Sequence, residues 1–292
     1  MTLAHDTPTA GLDRILPGTP ELSLDDRSKI ILFSDTHRGD KSATDPFAPN
    51  EPLFLHALTH YYQQGFTYIE LGDGDDLWQA PDFGAVQHAY PQVFELLARF
   101  QQAHRLRLIW GNHELDSRAD QPLPKGSFTT EECVGLRYRT TGQLWLVTHG
   151  HQADPWCDPV NRFSRQIGQA VYDLLQLLRS GRAGRLEQAL AAYLERWYGQ
   201  WDRQQQQKLT GQLADWTSRQ RQVLLCGHTH QPFFPTSPRQ PYFNTGCGIH
   251  PGYLTGLEIQ QGAIGLVKWW TNERGEYQRK LLKPARPLEA FA

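Results

Sequence analysis

The feature that most constrains this chain is a pattern repeated five times: a short, largely apolar run that stops abruptly on Asp, Asn or His. Ile30 to Phe33 runs into Ser34-Asp35-Thr36-His37, and Tyr68 to Leu71 runs into Gly72-Asp73. Leu106 to Trp110 reaches Gly111-Asn112-His113, Leu144 to Val147 reaches Thr148-His149, and Val223 to Cys226 reaches Gly227-His228-Thr229-His230. Apolar runs of this length between turn signals suit strands buried on both faces. Leu53 to Gln63 and Val93 to Ala103 carry apolar residues at three- and four-residue spacing, so helices separate the early strands. Strand alternating with helix predicts α/β layering, and in open α/β sheets the functional crevice lies beyond the carboxyl ends of the strands. All five polar motifs fall at that end.

The 292 residues suit one large α/β domain carrying an insertion. Residues 1–26 mix Thr, Pro, Gly and Asp without a sustained period and read as a surface extension, leaving 27–292 as the domain. Between His149 and Val223, Val160, Phe163, Ile167, Val171, Leu174 and Leu178 share one helical face, followed by Leu186, Leu190, Tyr193, Trp197 and Trp201. This block predicts an inserted helical cap at about 157–222. Beyond the last motif, Tyr242 to Thr245, Thr255 to Ile259, Ala263 to Trp270 and Glu276 to Leu282 alternate with turns, which predicts an antiparallel region completing a second sheet.

Composition excludes little. With 39% hydrophobic and 21% charged residues the chain is an ordinary globular one, and a formal charge of -2 gives no strong nucleic-acid signal. The cap region holds ten Lys or Arg against six Asp or Glu, a surplus that could guide an anionic substrate or make peripheral contact with acidic lipid headgroups. Cys133, Cys157, Cys226 and Cys247 form no CxxC pair, and neither a secretory leader nor a transmembrane segment is recognisable, so a cytoplasmic setting is expected.

The candidate ligands are Asp35, His37, Asp73, Asn112, His149, His228 and His230, with His113 and Asp76 beside them. Mixed imidazole and carboxylate donors suit divalent Mn, Fe or Zn, and the lack of cysteine argues against a structural zinc knuckle. Arg38, directly after His37, is a candidate to bind substrate phosphate with its fork of donors. His151 and Asp154 follow the fourth motif closely enough to support its ligands from behind, a reading that stands level with a turn residue and a helix cap before Pro155, and they stay outside the metal set. His56, His60, His88 and His104 lie in helical segments and read as structural or solvent-facing.

Asp35-Thr36-His37, Gly72-Asp73-Gly74-Asp75-Asp76, Gly111-Asn112-His113-Glu114, Thr148-His149 and Gly227-His228-Thr229-His230 resemble, in order, the motifs of calcineurin-like metallophosphoesterases. An ordered five-part match from Ile30 to His230 is far more specific than a lone GHTH. The resemblance implies a four-layer αββα sandwich and a hydrolase of phosphate esters that uses two divalent metal ions, Mn being expected with Fe or Zn as alternatives. In that pattern Asp35, His37 and His230 hold the first metal, Asn112, His149 and His228 the second, and Asp73 bridges them. Two cations about 3.5–4 Å apart repel, so a bridging carboxylate and a bridging hydroxide, the nucleophile, lie between them. His113 would give a proton to the leaving oxygen and Asp76 would orient it.

The serine/threonine phosphatase branch places Arg directly after that Asp, where this chain has Leu77 and then Trp78. The run Gly72 to Trp78 looks more like the UDP-diacylglucosamine hydrolase branch, which cleaves a pyrophosphate in lipid A synthesis. That branch commonly has Arg at the position of His113, and ends its fourth motif His-Gly-Asp where this chain reads His149-Gly150-His151. The substrate expected is therefore a phosphomonoester, phosphodiester or pyrophosphate, small or lipid-linked. The alternative from another class is a non-catalytic metal-binding scaffold.

Overall fold

The computed structural model describes residues 9–42, 45–78, 80, 82–115, 121–154 and 204–291. The described chain opens with a short helix, α1 (Ala10–Ile15), and two strands, β1 (Glu21–Leu24) and β2 (Ile30–Phe33). Helix α2 (Glu51–Gln63) leads to β3 (Thr67–Leu71), and α3 (Phe83–Ala89) and α4 (Pro91–Gln102) lead to β4 (Leu106–Ile109). Then come β5 (Thr130–Glu131), β6 (Cys133–Tyr138) and β7 (Leu144–Thr148). Residues 204–220 form a helix, here α5. The chain continues through β8 (Val223–Cys226), β9 (Tyr242–Asn244), β10 (Tyr253–Gln260), β11 (Ala263–Thr271), β12 (Tyr277–Leu281) and β13 (Arg286–Pro287).

Two sheets result. One runs β12-β11-β10-β2-β3-β4-β5 with β13 against β11, and the other runs β1-β6-β7-β8-β9. Strands β2, β3 and β4 are parallel, so their carboxyl ends share one edge. Helices α2 and α4 begin with Pro in the first turn, where its missing N–H costs nothing. Each then buries an apolar face, Leu53, Phe54, Ala57, Leu58 and Tyr61 in α2, and Val93, Phe94, Leu96, Leu97 and Phe100 in α4. These faces meet Ile31, Phe33 and Tyr68 on the outer side of the larger sheet.

Alternation sends Ile30, Leu32, Ile69 and Leu71 to the opposite side, where they pack between the sheets against Val134, Leu136, Trp145, Val147, Val223 and Leu225. Leu146, Leu224 and Cys226 face outward from the smaller sheet and are covered by Leu12 and Ile15 of α1 and Leu209, Leu213 and Trp216 of α5. The order helix, sheet, sheet, helix is the four-layer αββα sandwich expected.

Three expectations need correction. Of the C-terminal strands only β9 joins the second sheet, and it does so parallel to β8; β10 pairs antiparallel with β2, Leu257 opposite Leu32 and Ile259 opposite Ile30, so β10 to β12 extend the first sheet. In that register Leu257 and Ile259 bury in the space between the sheets beside Ile30 and Leu32, which accounts for the pairing. Nor is the start of the chain a mere surface extension. Strand β1 pairs parallel with β6, and Leu12, Ile15 and Leu24 are buried. The cap reading is altered at its end, since α5 packs on the smaller sheet as part of the outer helical layer. The rest of the expected cap, with Cys157, Trp197 and Trp201, lies outside the described residues. No helix among the described residues is long and apolar enough to cross a membrane.

Candidate metal centre

Each polar motif emerges from a strand end and turns sharply. Asp35, His37, Asp73, His228 and His230 all have φ between 48° and 68°, the left-handed region that side chains other than Gly enter at a cost. Asp and His are among the types that tolerate it best, and such strain gathers at functional sites, at roughly 1–3 kcal/mol per residue. The turns are tied together by main chain: Asp35 N–H donates to Gly72 O and His37 N–H to Asp73 O, each at 3.0 Å. Gly111 is required by close approach, because a Cβ there would collide with Asp73 Oδ1.

The expected residues converge. Asp35 Oδ1 lies 3.2 Å from His230 Nε2, and His230 Nε2 lies 3.2 Å from His37 Nε2. Asp73 Oδ2 lies 3.2 Å from His149 Nε2 and 3.9 Å from His37 Nε2. Donor atoms of Asp35, His37 and His230 form one group within 4.8 Å of one another, and those of Asp73, His149 and His228 form a second. Asp35 is held by its neighbours: Ser34 Oγ donates to Oδ2, and His228 N–H donates to Oδ2 at 3.0 Å.

The residues fit a pair of divalent ions. His149 Nδ1 donates to Leu71 O at 3.0 Å, which turns Nε2 toward Asp73 Oδ2 as the nitrogen that could take a metal. Asn112 is only 3% exposed, yet its Oδ1 accepts no hydrogen bond among the described residues, an arrangement costly unless the oxygen has another partner. Imidazole, carboxylate and amide oxygen together suit borderline to hard divalent metals.

Opposite electrostatic shifts coexist within the cluster. Burial works against a charged His149, but the Asp73 and Asp35 carboxylates outweigh it and raise the imidazole to about 9. At His37 burial prevails, with His113 adding repulsion, and the value falls to about 4. At His113 burial again opposes the charged form, while Asp76 and Asp73 carry it above the ordinary histidine range.

His113 stands beside the ligand groups, its Nδ1 3.0 Å from Asp76 Oδ1. The Trp78 ring lies flat on its imidazole. Arg38 departs from expectation. It is fully buried, Nη1 and Nη2 each donate to Glu70 at 2.7 Å, and Nε donates to Asp75 Oδ1 at 2.7 Å. A guanidinium so committed cannot reach a substrate phosphate, so its role is to tie the His37 turn to the Asp73 turn.

Sequence reasoning gave no role to Glu114 or Trp78 and passed over Lys125, and it left Asp154 undecided between supporting a ligand and capping a helix. Asp154 Oδ2 in fact lies 3.0 Å from His228 Nε2. The signal for Asp154 was its position five residues beyond His149; Lys125 had none. His151 is fully buried beside His149 and Trp110, where burial and the neighbouring His149 hold it well below the ordinary histidine range. Of the helical histidines, His56 and His60 flank Trp269, consistent with the structural reading.

Fold and site together define a metallophosphoesterase scaffold. Residues 28–232 match the family model of the calcineurin-like phosphoesterases, and the chain belongs to that family. Similar solved structures include Vacuolar Protein Sorting 29 from Cryptosporidium parvum, at 12% identity and a TM-score of 0.44 over 89% of this chain and 98% of that one. A Vps29 single mutant from Entamoeba histolytica aligns at 14% identity and a TM-score of 0.40, over 87% of this chain and 99% of that one. Chaetomium thermophilum Vps29 aligns at 10% identity and a TM-score of 0.41, over 89% and 97%. No curated protein matches the chain.

Proposed function

We propose that this chain is a dinuclear metal-dependent hydrolase of phosphate esters. The observation that carries this reading is the Asp73 carboxylate, whose single oxygen Oδ2 faces His149 of one donor group and His37 of the other. The reading assigns Asp35, His37 and His230 to one ion, Asn112, His149 and His228 to the other, and Asp73 to both. When bound, such an ion pair supplies Lewis acidity toward phosphoryl oxygens and a water of lowered pKa.

The chain's own residues do the rest. Asp76 accepts from His113 Nδ1, stabilises the protonated ring and so assigns delivery of a proton to the leaving oxygen to Nε2. Trp78 on one side and His37, edge-on with centroids 4.5 Å apart, on another fix the plane of that ring. Asp154 orients His228 as carboxylates commonly orient ligating imidazoles. Arg38 takes no part in phosphate binding, so charge compensation in the transition state falls to the metals and His113.

The test is direct. Protein stripped with chelator should hydrolyse neither p-nitrophenyl phosphate nor its bis-ester and should recover with Mn; inactivity with every divalent metal would overturn the reading. Adding nucleotide-linked pyrophosphates to the same screen examines the lipid A-type substrate. The Gly72 to Trp78 run supports that substrate, while His113 and His151 stand where the branch carries Arg and Asp.

A further inference from the structure

Next to the histidine-containing groups lies one made of carboxylates alone. Carboxylate oxygens of Glu70, Asp75 and Glu114 come within 4.8 Å of one another, all of them buried. Such a group could hold a cation, and it does: two side-chain cations enter it. Arg38 occupies the Glu70 and Asp75 side. Lys125, 3% exposed, places Nζ 2.7 Å from Asp75 Oδ2 and in contact with Glu114 Oε1.

Glu114 is the member that touches the site's main chain. Its Oε1 accepts from the N–H groups of Gly74 and Asp75 at 3.1 Å, and its Oε2 accepts from Gly111 N–H at 2.7 Å. One carboxylate therefore staples the turn after Asp73 to the turn that carries Asn112. Across the same seam His113 N–H donates to Asp73 Oδ1 at 2.9 Å, so the staple sets where Asp73 points. Lys125 is the cation on Glu114, and it comes from a separate segment between the third motif and β5.

We infer that Lys125 is a positioning residue for metal binding, its ammonium acting through Glu114 to hold the Asp73 and Asn112 turns at the spacing that two ions require. The inference rests on the metal reading above. Outer-shell partners of this kind typically change metal affinity about 10–100-fold when removed. A purely structural role is the competitor, because removing Lys125 also strips a buried cation from a group with three carboxylates.

The experiment separates the two. Mn is titrated calorimetrically into the chelator-treated full chain as wild type, Lys125→Met, and Lys125→Met combined with Asp75→Asn, and each is melted by circular dichroism. The double variant removes one charge of each sign, and its Asn can still accept from Arg38 Nε. Positioning predicts Mn affinity about 10–100-fold weaker in the single variant, with the double regaining thermal stability but not affinity. Wild-type affinity in Lys125→Met overturns the inference, as does joint recovery of stability and affinity in the double. Should the single variant fail to fold, the affinity of the double decides. A wild-type chain that binds no Mn overturns the metal reading and this inference with it.

Discussion

The Trp78 indole lies flat on the His113 imidazole, ring centroids 3.9 Å apart and planes inclined by 22°. Aromatic contacts of this kind contribute about 0.5–1.5 kcal/mol beyond the area they bury. Trp78→Leu should therefore lower kcat by no more than about tenfold, tenfold corresponding to 1.4 kcal/mol. Mn affinity measured by calorimetry should be unchanged. A loss of metal instead would place Trp78 in the support of the ligand set.

His113→Ala should cost about 10²–10⁴-fold on alkyl phosphate esters, whose leaving oxygen needs a proton. On p-nitrophenyl phosphate, whose leaving group departs as a stable anion, the loss should be much smaller. Steady-state kinetics on the two substrates make the comparison. Equal losses would remove the proton-donor role.

Asn112→Ala should empty one metal site and leave the other, because its amide oxygen serves only one donor group in the proposed scheme. Elemental analysis after Mn supplementation should fall from about two ions per chain to about one. Asp73→Ala should lower occupancy of both. Unchanged stoichiometry in both variants would refute the bridging assignment.

Gly111→Ala drives a Cβ into Asp73 Oδ1. Overpacking typically costs about 1–3 kcal/mol, and here the displaced atom is a proposed ligand. Urea unfolding should show that loss, and Mn affinity should fall with it. Full affinity in a folded variant would show that Asp73 can retreat without consequence.

Trp216 ties α5 to α1. It is fully buried, and its Nε1 donates to Asp13 Oδ1 at 2.8 Å. Trp216→Ala should destabilise the chain by about 3–5 kcal/mol, read by urea unfolding, while Mn affinity of the folded protein stays at its wild-type value.

The strand ends and the polar residues gathered at them were legible because buried parallel strands give continuous apolar runs and because turns leaving them need particular residue types. Other parts were hidden for physical reasons. Helix α1 has six residues, too few to display a helical period, so Leu12 and Ile15 looked like isolated apolar residues in a polar segment. The alternation in β10 shows that it is a strand but not that β2 is its partner, since pairing across more than two hundred residues leaves no local trace. The commitments of Arg38 and Lys125 were hidden because burial of a cation is decided by carboxylates distant in sequence.

The left-handed turns at Asp35, His37, Asp73, His228 and His230 also bear on how such a chain can diverge. Gly, Asn, Asp and His accept that backbone most readily, and of these Asp and His bring the strongest metal donors. Mutational drift at these positions is thus channelled toward Gly or Asn, replacements that ease the backbone while weakening the ligand set. In a relative of this chain, Gly or Asn at the position of Asp35 or Asp73 would record the loss of the proposed metal centre while the sandwich around it persisted.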